Sequence, residues 1–249
     1  MRRVAAVAAA ALLVLAGCGG GDKKSNDQLT VSAASSLKAA LPKYQPKARY
    51  SFAGSDVLAA QIKAGARPDV FAAANTAFPA ELFKAGLVEK PVVFAGNRLV
   101  IATPASSKKV QSTADLAKPG VTIAAGSATV PIGSYTREVI GRLPPAQAKK
   151  ILANIRSDEP DVAGVVGKLT QGAVDAGFVY ATDVQAASGK LSAIQLPDKL
   201  EPRVAYAAAV VKGSKQSDEA AKFVNGLLTG KGAAALMAAG FDPPPASGP

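Results

Sequence analysis

Thr30-Val31-Ser32-Ala33-Ala34-Ser35-Ser36-Leu37 and Tyr50-Ser51-Phe52-Ala53-Gly54-Ser55-Asp56-Val57-Leu58 are two copies of one pattern: an apolar strand running into a serine that opens a helix. Extended over the chain, the pattern becomes strand-like apolar runs alternating with Ala-rich amphipathic stretches. That alternation is the signature of βαβ units and an α/β fold with mostly parallel sheets. Strands are expected at 29–33, 49–53, 69–73, 98–103, 122–125, 176–180 and 204–211. Helices are expected at 36–43, 56–64 and 79–85, from Pro131 onward, and at 161–171, 217–228 and 230–239, with Gly65 and Gly86 as stops. The Pro-rich end, 243–249, reads as disordered.

In a parallel sheet both serine turns lie at the C-terminal edge, where open α/β sheets bind ligands. A serine there either caps the free amides of the first helical turn or turns its hydroxyl to a ligand. The free N–H groups and the positive dipole end also suit an anion. Three more places fit. Pro131 at a helix start leaves the amides of Ile132 and Gly133 before the hydrogen-bonded ladder. The helix start at Asp161 offers the amide of Val162. Tyr180 ends an apolar strand, either as a core tyrosine or as a phenolic donor.

Composition removes competitors. The chain has no histidine, which excludes Ser-His and Cys-His nucleophile pairs and histidine metal ligands. No S-x-x-K motif stands at a helix start with a partner downstream. The acidic cluster Asp158-Glu159-Pro160-Asp161 reads as a helix cap rather than a metal site. The net charge of +11 is scattered and uninterleaved with aromatics, and tryptophan is absent, so nucleic-acid binding is not expected.

Arg2 and Arg3 precede an apolar run, Val4 to Ala16, ending in Leu15-Ala16-Gly17-Cys18. Residues 1–17 read as a lipoprotein signal peptide, with Cys18, the single cysteine, as the lipidated first mature residue; the alternative is an ordinary secretory signal. Residues 18–28, polar and glycine-rich, read as a flexible tether. Loss of Arg2 and Arg3 leaves a charge of +9, a field that attracts anions without defining a site.

The chain from about Leu29 to Phe241 resembles the periplasmic molybdate-binding proteins of ABC importers, two-lobed solute-binding proteins of the type II class. The matching stretches are Ala33-Ala34-Ser35-Ser36-Leu37, Phe52-Ala53-Gly54-Ser55 with Leu58-Ala59-Ala60-Gln61-Ile62, and Gly65-Ala66-Arg67-Pro68-Asp69-Val70-Phe71-Ala72. Val130-Pro131-Ile132-Gly133 and Gly177-Phe178-Val179-Tyr180 complete the set. The resemblance implies an oxyanion held by Ser36, Ser55, the amides of Ile132 and Val162, and Tyr180, with no cationic side chain in contact. Ser35 and Pro131 are secondary candidates. It implies no enzyme activity and no cofactor. The ligand it implies is molybdate or tungstate, with molybdenum bound only as the oxyanion, and the implied partner is an ABC importer permease. Sulfate or another solute is the alternative.

It further implies a monomer held to the membrane only by its lipid, with lobe 1 formed by 29–97 plus 206–242 and lobe 2 by 98–205. The chain departs from the family pattern at Ser35 (usually alanine), at Asp56 (usually a small hydroxyl residue) and at Ala74-Asn75 (usually Ala-Asp). A donor-only site accepts a fully deprotonated dianion and offers a protonated oxygen no partner, which disfavours hydrogen phosphate.

Overall fold

The computed structural model describes residues 28–246; the signal, Cys18 and nearly all of the tether lie outside the described residues. Two five-stranded sheets form two lobes. The first has the spatial order β2 (Arg49–Ala53), β1 (Thr30–Ala34), β3 (Val70–Ala73), β10 (Val204–Val210), β4 (Val92–Asn97). The second runs β7 (Ile155–Glu159), β6 (Ile123–Gly126), β8 (Ala176–Tyr180), β5 (Leu99–Pro104), β9 (Leu191–Gln195).

The two orders match position by position. In each sheet a central strand, β1 or β6, pairs in parallel with two neighbours. The fourth strand, β10 or β5, is antiparallel to both of its neighbours. The expected mostly parallel sheets therefore carry one reversed strand each, and that strand is the one arriving from the other lobe. The first crossing is abrupt: β4 ends at Asn97 and β5 begins at Leu99.

Burial follows position in the sheet. β3 and β8 are buried along their whole length, whereas the outer strands β2, β7 and β9 are mostly exposed or half-buried, as strands covered on two faces or on one should be. Between β2 and β3 runs α2 (Ser55–Lys63), and α3 (Ala77–Lys84) follows β3. Leu58, Ile62 and Leu82 from these helices pack against Phe71, each burial stabilising by about 1.5–3 kcal/mol. This packing fixes the start of α2 at the sheet edge. Gly65 (φ +106°) and Gly86 (φ +71°) take the left-handed conformation that ends these helices.

One expected helix is broken. In place of 36–43 there is a 3₁₀ turn at Ser35–Leu37 and a separate α1 (Leu41–Tyr44). Pro42 explains the break: within a continuous helix it lacks the N–H and crowds the carbonyl four residues back, whereas a restarted helix accepts it in its first turn. The second lobe contains α4 (Pro131–Gly141), α5 (Pro145–Asn154), α6 (Val162–Thr170) and α7 (Ala181–Ala186). α8 (Ser217–Leu228) packs on β10 and β4, and α9 (Gly230–Ala238) packs on α8 and α1. The end expected to be disordered is placed through Ala246, with Asp242 paired to Gly96 and the Pro243 carbonyl and Pro245 lying over that glycine. Residues 247–249 are outside the described range.

Candidate functional site

Six turns from the two sheets meet face to face. β1, β2 and β3 of the first lobe deliver Ser36, Ser55 and Ala74; β6, β7 and β8 of the second deliver Ile132, Val162 and Tyr180. All six turns leave the C-terminal ends of mutually parallel strands. All six residues line one cavity, as do Ser35, Pro131 and Asp161. The five residues singled out from the sequence are thus brought together, together with both secondary candidates.

The cavity has a volume of about 20 Å³. That is far below the roughly 300–1,000 Å³ of organic-ligand pockets. Asp161 is the one charged side chain in the lining, and its carboxylate is engaged as the cap of α6, accepting from the Gly164 amide at 3.1 Å. Of the acidic cluster, Asp161 therefore caps a helix as expected, while Asp158 and Glu159 belong to β7.

The donors have distinct local origins. Ser36 Oγ lies 2.9 Å from Tyr206 Oη, and Ser55 Oγ accepts the Ala74 amide at 3.1 Å, leaving the Ser55 hydrogen free to point elsewhere. Ser36 is buried while Ser35 is half-exposed. In α4 the first intrahelical bond is made by the Ser134 amide to Val130 O, so the Ile132 and Gly133 amides precede the ladder. The Cβ of any other residue at Gly133 would stand 1.7 Å from the Ser127 carbonyl, so glycine is what lets this loop fold over the helix start. Val162 occupies the first position of α6.

Tyr180 is 1 % exposed, and its hydroxyl has no hydrogen-bond partner among the described residues. Burial first, then the neighbouring Tyr206, raises its pKa well above the ordinary phenol value, so it stays a neutral donor. A buried, unpaired donor costs about 1–3 kcal/mol, and here it belongs to a residue that lines the cavity.

Asp56 neither lines the cavity nor caps its own helix. Its Oδ2 accepts from Thr129 Oγ1 across the cleft at 2.9 Å, and its Oδ1 is buried without a partner among the described residues. Beside it Gly54 lets the lobes approach: a Cβ there would stand 2.5 Å from the Pro160 carbonyl. Asn75, the other departure, bonds the Phe78 amide through its Oδ1 at the start of α3.

The sequence profile of the bacterial extracellular solute-binding proteins matches residues 29–242. The chain belongs to that family. Molybdate-binding protein ModA of Mycobacterium tuberculosis is 36% identical over 227 residues, covering 87% of this chain and 85% of the relative. The Haemophilus influenzae protein of the same name is 30% identical, covering 77% and 81%. The periplasmic molybdate-binding protein of Azotobacter vinelandii, 24% identical, superposes with a TM-score of 0.78 over 88% of this chain and 100% of its own, and so has the same fold.

As a member of an extracellular family, this solute-binding protein works outside the cytoplasm. Among its described residues no three His, Cys, Asp or Glu side chains cluster to hold a metal ion, and no helix is long and apolar enough to cross a membrane. Two features behind its cavity escaped the sequence reading. Tyr206 lies fully buried in an alanine-rich strand; a lone phenol in a run of small residues was the available signal. Asp183, which bonds the Tyr180 amide at 3.0 Å, has its pKa pushed up to about 7, chiefly by burial. Nothing in its sequence neighbourhood marks that.

Proposed function

We propose that this solute-binding protein captures molybdate or tungstate through Ser36, Ser55, the Ile132 and Val162 amides and Tyr180, and delivers it to the permease of an ABC importer. One observation carries the reading: Tyr180, whose hydroxyl has no partner among the described residues, lines a small cavity together with serine hydroxyls, helix-start residues and a single carboxylate, Asp161, that is engaged as a helix cap. Such a site pays for desolvating a dianion with preorganised neutral donors, and the one carboxylate in its lining, Asp161, is turned to the Gly164 amide as a helix cap. Tetrahedral dianions fit this chemistry and hydrogen phosphate does not. The names of the M. tuberculosis and H. influenzae relatives support molybdate among the dianions.

In this reading lobe 1 comprises 29–97 plus 206–242 and lobe 2 comprises 98–205. An anion that bonds both favours the closed form by differential affinity. Cys18 carries the lipid that holds a monomer to the membrane surface, with 18–28 as tether. Isothermal titration of the purified protein with molybdate, tungstate, sulfate and phosphate tests the assignment. Micromolar molybdate and tungstate are expected to bind, with sulfate much weaker and phosphate silent. Equal affinity for sulfate would sink it.

A further inference from the structure

We infer that Tyr206 is a positioning residue for the oxyanion site, its hydroxyl donating to Ser36 and so turning the single Ser36 hydrogen into the cavity. The inference rests on the reading of Ser36 as a ligand donor. Tyr206 is wholly buried on β10, outside the cavity lining, with its Oη 2.9 Å from Ser36 Oγ. The distance alone allows either hydroxyl to donate. The chemistry of the bound state decides. Ser36 has one hydrogen, and if an anion takes it, the Ser36 oxygen must be the acceptor toward Tyr206.

Tyr206 is equipped for the donating role. Burial holds its pKa well above the ordinary value, so its proton is retained. Its ring is fixed by edge-on packing against Phe241 at 5.3 Å, Tyr180 at 5.8 Å and Phe94 at 6.2 Å. The resulting chain, Tyr206 to Ser36 to anion, is one in which each bond polarises the next. Tyr206 thereby touches one candidate donor from each lobe: it bonds Ser36 and packs on Tyr180. It does so from the strand that returns the chain from the second lobe to the first.

The test is a double-mutant cycle read by molybdate titration calorimetry on wild type, Tyr206→Phe, Ser36→Ala and the double variant, with unliganded melting temperatures in parallel. Phenylalanine keeps the ring packing and removes only the hydroxyl. Loss of that one neutral hydrogen bond is expected to weaken molybdate binding by about 3- to 10-fold. On the Ser36→Ala background the same change should alter affinity by less than about twofold, because the residue it acts through is gone. Ser36→Thr, which retains a hydroxyl, should restore the dependence on Tyr206. A lowered melting temperature does not mimic this pattern, since general destabilisation weakens both backgrounds alike. Equal weakening in both backgrounds, or an unchanged affinity in Tyr206→Phe when Ser36→Ala binds poorly, overturns the inference and leaves the site assignment standing. Absence of molybdate binding by the wild type overturns both.

Discussion

The two lobes share a frame and divide the chemistry. At the N-terminal ends of equivalent strands they repeat one device. Asp69, entering β3, accepts both the amide and the hydroxyl of Thr30, at 2.8 and 2.7 Å; Asp175, entering β8, accepts the amide and hydroxyl of Thr122, each at 2.8 Å. At the C-terminal ends the likeness stops. The first lobe presents serine side chains on turns that leave the strand directly, and the second presents main-chain amides behind Pro131 and Asp161, plus one phenol. A shared frame can therefore carry donors of two kinds, and they differ in what substitution can reach. A hydroxyl disappears with its side chain; an amide remains whichever residue bears it.

The sharpest way to break this comparison is at the donors. Ser36→Ala with Ser55→Ala removes two hydrogen bonds to a charged ligand, each worth about 1.5–3 kcal/mol, and should weaken molybdate binding by more than about 100-fold. Val162→Ala removes a side chain and keeps the amide, so affinity should change by less than about threefold. Calorimetry on the two variants measures the contrast, and a Val162→Ala loss as large as the serine loss would show that side-chain packing, not the amide, carries the second lobe.

A smaller effect separates the two Thr–Asp ties. Asp69 is buried and also accepts from Ser214 Oγ at 2.6 Å, whereas Asp175 takes Lys109 at 2.7 Å near the surface. Burial alone would raise both carboxyls, yet the surrounding donors hold both below the ordinary value. Asp69→Ala should cost about 2–3 kcal/mol in urea unfolding, and Asp175→Ala about half of that, because the exposed Lys109 pair is screened. Equal losses would mean that the buried Ser214 contact adds nothing.

The smallest expected effect concerns pH. Asp183 has a folded pKa of about 7, above its unfolded value, so the folded state holds the extra proton between about pH 4 and 7. Stability from this group is fully present below about pH 4, falls as pH rises toward 7 and is lost above it. Asp69 and Asp175, shifted the other way, lose their contribution only in acid and stay constant in this window. Wild type should therefore lose about 1–2 kcal/mol between pH 6 and 8 relative to Asp183→Asn, whose amide oxygen still accepts from Tyr180 N. Parallel pH slopes for the two proteins would locate the titration elsewhere.

Much of this molecule was legible in its sequence because its strand-to-helix turns are short. The distance from the end of β1 to Ser36, or from β2 to Ser55, leaves a serine no freedom to be elsewhere, and a helix that begins with Pro131 declares its own free amides. What was missed lacks such local marks. β4, β7 and β9 were not foreseen: all three are edge strands, the last two too polar to stand out, and β7 was obscured by its acids, Asp158 and Glu159. Helix 36–43 failed because Pro42 outweighs the periodicity around it. Tyr206 lies 170 residues from Ser36, a separation that only the return of β10 into the first sheet closes.

That return has a counterpart in the single residue, Arg98, that joins β4 to β5. Its carbonyl accepts the Ala181 amide at 2.9 Å, and Asn97 Nδ2 donates to Thr182 Oγ1, also at 2.9 Å. The residues so fastened are the two that directly follow Tyr180. The link between lobes thus has almost no slack. Any turning of one lobe on the other is confined to a few backbone torsions, and it is geared to the tyrosine with a lever arm only one or two residues long.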